Sequence, residues 1–403
     1  MNAPLRTAGT AGNIDAKRVI ERAGVSYPVY GSHAPDFAPV LDAFAENFAT
    51  EEEHGAAAAV YVDGQLVADC WGGWKDTVRT IEWERDTIVN TMSVTKTLAA
   101  ACVHILVDRE HISLDAPVAN YWPEFGAAGK QDMPVRYLLD HRAGLPYIEN
   151  APAGLTVFDW DGMVAALAAA RPVWEPGKQA GYHVLSQGHL LGELVRRVDG
   201  RSIGRFFADE IAAPLGLDFF IGVPEGDLVR CADYLVERKG TILDRDALDP
   251  TSILARSWEQ VPKDTDFNGR DWRMCAFPSG NGHGSARAVA RFFACLANGG
   301  ELDGVRILSQ AAVDTMLTEQ HNMVEVVMQR SYHQALGVLL NSPPIVWMGP
   351  HADAFGHHGV GGSIGMGERL NNVAISYLPS RMHNRLDNGP RARRIIEATY
   401  ACL

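Results

Sequence analysis

No stretch of this 403-residue chain approaches the roughly 18 uninterrupted apolar residues that a membrane span requires. Residues 1–13 are small and polar without an apolar centre, which argues against a secretory signal. Basic runs are missing too: 36 Lys and Arg stand against 49 Asp and Glu, a formal charge of −13. That balance disfavours nucleic acid and anionic membrane surfaces as partners. Cysteine is scarce, with six residues (Cys70, Cys102, Cys231, Cys275, Cys295 and Cys402) scattered without metal-ligand spacing. They read as free thiols of a cytoplasmic protein, with no metal or other cofactor expected. Repeats and low-complexity segments are also lacking.

What is present describes an ordinary globular protein, 47% hydrophobic and 21% charged. The length suits one large or two intertwined domains. Residues 1–33 read as a loose leader. Phe37, Val40, Leu41, Phe44 and Phe48 recur at helical spacing and predict an amphipathic helix over 35–53. Segments 56–62 and 66–71 flank Asp63-Gly64 and predict a β-hairpin. From 115 to 265, short helical runs are broken by Pro, Gly and Asp, with helices expected at 159–170, 186–198 and 203–211. Beyond Gly280, a helix is expected at 286–297, strands at 334–341 and 373–377, and a closing helix at 391–402. The pattern implies an α/β domain of 34–114 plus 266–403, its sheet shared by the two ends. A mostly helical domain, 115–265, would be inserted between them, with a site at the interface.

The motif with chemical content is Ser93-Val94-Thr95-Lys96, followed by a run free of Gly and Pro that predicts a long buried helix. Residues three apart share a helix face, so the Lys96 amine can reach the Ser93 oxygen. A serine hydroxyl becomes a useful nucleophile only when a base takes its proton. A lysine serves as that base when burial or nearby positive charge lowers its pKa. Four residues alone recur by chance in many helices, and a capping serine followed by a solvated lysine has the same spelling.

Two further segments change that balance. Tyr182 follows a Pro-Gly turn and precedes a helix, a position from which a phenol can project into a cleft. Phe355-Gly356-His357-His358-Gly359-Val360-Gly361-Gly362-Ser363 is rich in glycine, which lets a ligand approach backbone closely. The histidine pair lacks a third ligand at sensible spacing, so a metal site is not expected. His183 and His189 fit hydrogen-bonding or surface roles.

In their order and separations, Ser93 and Lys96, Tyr182, and His357-His358-Gly359 resemble the serine β-lactamase and penicillin-binding protein superfamily. Within it, the resemblance is to class C β-lactamases and the related family VIII carboxylesterases. It covers roughly residues 35–400. Supporting segments run from Leu138 to Leu145, through Pro176-Gly177, and from Gly282 to Arg287. The resemblance implies a β-lactamase-like α+β fold, an antiparallel sheet flanked by helices. It also implies an acyl-Ser93 intermediate, Lys96 and Tyr182 as general base and acid, and an oxyanion hole of the Ser93 and Val360 N–H groups. Which of Lys96 and Tyr182 is the acylation base stays open. His357 is expected to orient Tyr182 or contact the acyl group, with His358 able to exchange roles if the register slips.

Departures from the family pattern are informative. Val184 stands where the family's Tyr-x-Asn motif supplies an amide, and His357 stands where its Lys-Thr-Gly strand supplies a fixed cation. Both losses point toward an uncharged small or medium carboxylic ester as substrate. An amidase, an acyltransferase, a weak β-lactamase and an inactive binding protein of the same fold remain alternatives. The substrate pocket is expected to draw on Tyr147, Val184 and Trp347, with further aromatic surface from Phe158, Trp160 and Trp174 and with Met348 beside Trp347. Oligomeric state is not legible.

Overall fold

Gly55–Val62 is buried at all eight positions, and its Ala56 to Ala59 run suits a strand covered on both faces by helices. The structure, a computed structural model, describes residues 14–239, 243–383, 385 and 387–403. In chain order the main sheet contains β1 (Ile14–Arg22), β2 (Val25–His33), β3 (Gly55–Val62), β4 (Gln65–Gly73), β5 (Leu339–Leu340), β6 (Phe355–His358), β7 (Ile364–Glu368) and β8 (Val373–Pro379). Their spatial order is β1-β2-β4-β3-β8-β7-β6-β5, with every neighbouring pair antiparallel. The first and last parts of the chain meet where β3 pairs with β8, Ala58 opposite Tyr377. Asp63 (φ 49°) and Gly64 (φ 74°) close the β3-β4 hairpin with two left-handed residues, the geometry that matches strand twist.

Alternation along the strands divides the core. On one face, Ala56, Ala58, Val60, Ile375 and Tyr377 pack with Phe44 and Phe48 of α1 (Ala38–Thr50) and with Ile395 and Ile396 of the C-terminal helix Gly389–Ala401. Burying each of those phenylalanines contributes about 1.5–3 kcal/mol. A buried ion pair, Arg391 Nη1 to Glu53 Oε2 at 3.0 Å, ties that C-terminal helix to the segment entering β3. On the other face, Ala57, Ala59, Ala374 and Leu378 share a core with Val289 and Phe293 of the helix Ala286–Ala297 and with Leu98 and Ile105 of α2 (Thr95–Asp108). That core continues into the helical region through Leu190 and Leu194 of the helix Ser186–Asp199. A small sheet of Val89–Asn90, His283–Gly284 and Phe219–Phe220 crosses the same boundary.

Three expectations need correction. The leader over 1–33 is wrong for Ile14–His33, which form the β1-β2 hairpin at the sheet edge; residues 1–13 lie outside the described residues. The apolar alternation of β1 is weak because Arg18, paired with Asp42, and Arg22, which donates to Phe48 O and Glu53 O, take half-buried positions, while Val19 faces solvent. The strand over 334–341 shrinks to Leu339–Leu340, because the Gln334 amide donates to Ala335 O and Val338 O and holds a turn. The helix over 203–211 is regular only through Phe207 and then widens into a π turn over Ala208–Ala212.

Candidate active site

Ser93 lies in the one-turn 3-10 helix Met92–Val94, immediately ahead of α2 rather than in its first α turn. Met92 has φ +49°, a left-handed conformation that costs on the order of 1–3 kcal/mol in a residue with a side chain. Asn90 offsets that strain: its Oδ1 accepts from Met92 N–H at 3.1 Å while its Nδ2 donates to Gly280 O. The turn is anchored on its other side by Thr91, whose N–H donates to Gly282 O and whose carbonyl accepts from Ser363 Oγ. β6 must approach this turn closely. A Cβ on Gly359 would fall 2.7 Å from Thr91 O and 2.8 Å from Met92 Cβ, so only glycine fits.

Lys96 is 2% exposed, one turn along from Ser93. Its Nζ stands 3.4 Å from Ser93 Oγ and makes shorter bonds to Val184 O (2.9 Å) and Ser279 O (2.7 Å). Burial lowers its pKa to about 7, since the charged form has lost water. With both N–H bonds of the neutral amine directed to carbonyls, its lone pair is left to face the Ser93 hydroxyl.

Tyr182 lines the same cavity as Ser93, and Lys96 Nζ sits 4.9 Å from its ring centre. Burial raises the phenol well above its ordinary pKa, and Tyr332 and Glu325 add to the rise. His141 and His357 flank the same ring, with centroids 4.8 and 6.1 Å away. His357 Nδ1 faces His358 O at 2.6 Å, which places its proton on Nδ1 and leaves Nε2 an acceptor. Burial, with His358 and Lys96 assisting, holds its pKa well below the usual histidine range. The position that resembles a lysine motif therefore carries a neutral ring at pH 7.

A cavity joins these groups. Its polar lining includes Ser93, Tyr182, His357 and His358, and Val184 and Val360 also line it. Its apolar lining comes largely from Leu243, Trp258, Phe267, Trp272 and Phe277 of the helical region and its exit. Val360 sits in the turn after β6, where Gly359 N–H donates to Ser363 O and Tyr234 OH donates to Val360 O.

Six residues expected at the pocket do not line it. Tyr147 packs under Arg256, whose guanidinium lies 3.8 Å from its ring centre and donates to its hydroxyl. Trp347 lies against the other core, beneath Arg393. Met348 is buried in that same core, Phe158 and Trp160 line separate surface clefts, and Trp174 stacks edge-on to His183. His183 and His189 are buried hydrogen-bonding residues: His183 Nε2 accepts from Leu145 N–H, and His189 Nε2 bonds Val157 O. The aromatic set Trp258, Phe267, Trp272 and Phe277 was missed because its spacing follows no helical or strand period. His141, at φ +65°, was visible only as part of a supporting segment.

The model of the Beta-lactamase family matches residues 41–400. The chain belongs to the Beta-lactamase family. Among family relatives, Esterase/beta-lactamase LipL of Mycobacterium tuberculosis (strain ATCC 25618 / H37Rv) is 35% identical over 381 residues, 89% of this chain and 83% of that one. The crystal structure of a penicillin-binding protein homolog from Caulobacter crescentus superposes with a TM-score of 0.86 at 35% identity, covering 93% of this chain and all of that one. The crystal structure of a family VIII carboxylesterase gives a TM-score of 0.85 at 38% identity, covering 92% and 98% of the two chains. The fold is thus that of the family, a large antiparallel sheet flanked by helices.

Proposed function

We propose that this chain is a serine esterase that hydrolyses neutral carboxylic esters through an acyl-Ser93 intermediate. The observation that carries the reading is the Lys96 amine: buried, without a carboxylate partner among the described residues, held by two carbonyls and 3.4 Å from Ser93 Oγ. Relatives named as an esterase/beta-lactamase and a family VIII carboxylesterase support ester hydrolysis.

In this mechanism Ser93 Oγ attacks the ester carbonyl carbon and its proton passes to Lys96 Nζ, with Tyr182 bridging the two. A base near pKa 7 is matched to neutral pH, whereas the raised phenol stays protonated, which favours Lys96 as acceptor and Tyr182 as donor. The tetrahedral oxyanion would be met by the N–H groups of Ser93 and Val360, each such donor typically contributing about 3 kcal/mol. Tyr182 then protonates the departing alkoxide and is resupplied from Lys96. Water repeats the sequence on the acyl-enzyme and releases the acid.

Neutral substrate follows from the lining. The neutral His357 ring offers no cation, and a carboxylate buried among Trp258, Trp272 and Phe277 without a partner would cost several kcal/mol. The test is hydrolysis of short p-nitrophenyl esters by the wild type and by Ser93→Ala, together with intact-mass detection of a fluorophosphonate adduct on Ser93. Loss of both signals in the variant supports the reading. Absence of turnover on any ester by the wild type overturns it.

A further inference from the structure

Glu325 is a 2% exposed carboxylate with no cation beside it in the hydrogen-bond network. Its Oε2 accepts from Tyr182 N–H at 2.7 Å and from Val327 N–H at 3.0 Å, and its Oε1 accepts from Met328 N–H at 2.5 Å. Convergence of three N–H groups on two oxygens is the coordination of an ionised carboxylate, which accepts and does not donate. These N–H groups also oppose the rise in proton affinity that burial causes.

The donors belong to two segments that are far apart in sequence. Tyr182 lies just ahead of the helix Ser186–Asp199, whereas Val327 and Met328 belong to the hairpin in which Val324–Glu325 pairs with Arg330–Ser331. A second bond, Val326 N–H to Ala180 O at 2.9 Å, runs beside the first. Packing there is tight, since a Cβ on Gly181 would fall 3.0 Å from Val326 Cγ2. The same hairpin segment carries Met328 and Tyr332 into the cavity lining.

We infer that Glu325 is a positioning residue for the esterase reaction, a buried strut that fixes the Tyr182 main chain and, through it, the reach of the phenol to Ser93. The inference rests on the reading of Tyr182 as proton carrier. A peptide N–H tethered at 2.7 Å limits drift of the Cα that bears the ring, and a misplacement of about 1 Å at a reacting group can cost about 100-fold in rate. The negative charge also opposes ionisation of the phenol, keeping Tyr182 a donor for the leaving alkoxide. Nothing at Glu325 touches the cavity directly, so its effect falls on turnover more than on binding.

The experiment compares wild type, Glu325→Gln, Glu325→Ala and the hairpin control Val324→Ala, whose residue is 65% exposed, on one short p-nitrophenyl ester. Glu325→Gln keeps the size but turns an NH2 group toward backbone N–H groups. The expected result is a fall in kcat of about 10- to 100-fold in Glu325→Gln with KM changed less than about threefold, a matching fall in the rate of fluorophosphonate labelling at Ser93, and an unchanged control. Glu325→Ala is expected to lose at least as much. Folded Glu325→Gln protein, by near-UV circular dichroism, with wild-type kcat and labelling rate overturns the inference and leaves Glu325 a tether of the fold only. Should Glu325→Gln fail to fold, Glu325→Asp, which keeps the charge but shortens its reach to the Tyr182 N–H, takes its place; folded Glu325→Asp protein with wild-type kcat and labelling rate also overturns it. Ser93→Ala separates the two readings: ester turnover surviving in Ser93→Ala defeats the esterase mechanism itself, whereas its loss alongside an unaffected Glu325→Gln defeats only the strut.

Discussion

Lys96 Nζ lies closer to two main-chain oxygens, Val184 O and Ser279 O, than to the Ser93 hydroxyl it faces. The carbonyls hold the amine in place from segments that meet only in the folded chain, one at the start of the helix Ser186–Asp199 and one after Phe277. The amine is therefore oriented without a counter-charge that would keep it protonated.

Its pH dependence follows. Burial lowers Lys96 to about 7, and in the proposed mechanism the neutral amine is the form that accepts the Ser93 proton. kcat/KM for a neutral ester is expected to rise as pH rises through about 7 and then level off. A pH–rate profile corrected for spontaneous hydrolysis checks this, and a flat profile between about 5.5 and 8.5 removes Lys96 as the base.

Lys96→Met retains length and apolar contact but cannot accept a proton. A fall in kcat of about 10²- to 10⁴-fold is expected, with the acyl-enzyme no longer accumulating on a slow ester. Stopped-flow measurement of the burst phase reads the loss directly.

His357 is neutral because burial holds its pKa well below the ordinary range. Paired substrates of equal size, one neutral and one bearing a free carboxylate, are expected to differ in kcat/KM by at least about 100-fold in favour of the neutral one. In His357→Lys the gap is expected to narrow. Equal rates for the pair in the wild type would remove the assignment of a neutral substrate.

Trp272 is 2% exposed, wedged edge-on between Phe267 and Phe277, and lines the cavity. Trp272→Ala is expected to lower stability by about 3–5 kcal/mol and to raise KM for short esters relative to long ones. Urea denaturation and a chain-length series measure the two effects separately.

Arg391 and Glu53 form a pair in which neither side chain is more than 3% exposed, and Glu53 also accepts from the Tyr377 hydroxyl. Removing one partner leaves a buried charge uncompensated, so Arg391→Met is expected to cost about 3–5 kcal/mol in chemical denaturation.

Much of the fold is written in local pattern. The helix over α1 follows from apolar residues at helical spacing, the β3-β4 hairpin from Asp63-Gly64, and the closing helix from its amphipathic repeat. The Ile14–His33 hairpin was not readable, because β1 places Arg18 and Arg22 on its half-buried side and Val19 toward solvent, so its apolar pattern does not separate from a polar leader. The pocket wall escaped for a different reason. Trp258, Phe267, Trp272 and Phe277 come together through irregular turns, and Tyr147 and Trp347 show that an aromatic residue near a motif in sequence can face another core.

Residue identity and order alone singled out Ser93, Lys96, Tyr182 and the His357-His358-Gly359 strand as the candidate groups, because a separation of three residues at a helix start already sets Ser93 and Lys96 within reach of each other. Tertiary structure decided the rest. Burial depends on what packs around a side chain, so only the folded chain brings Lys96 near neutrality, makes His357 uncharged and places Glu325 under the Tyr182 main chain.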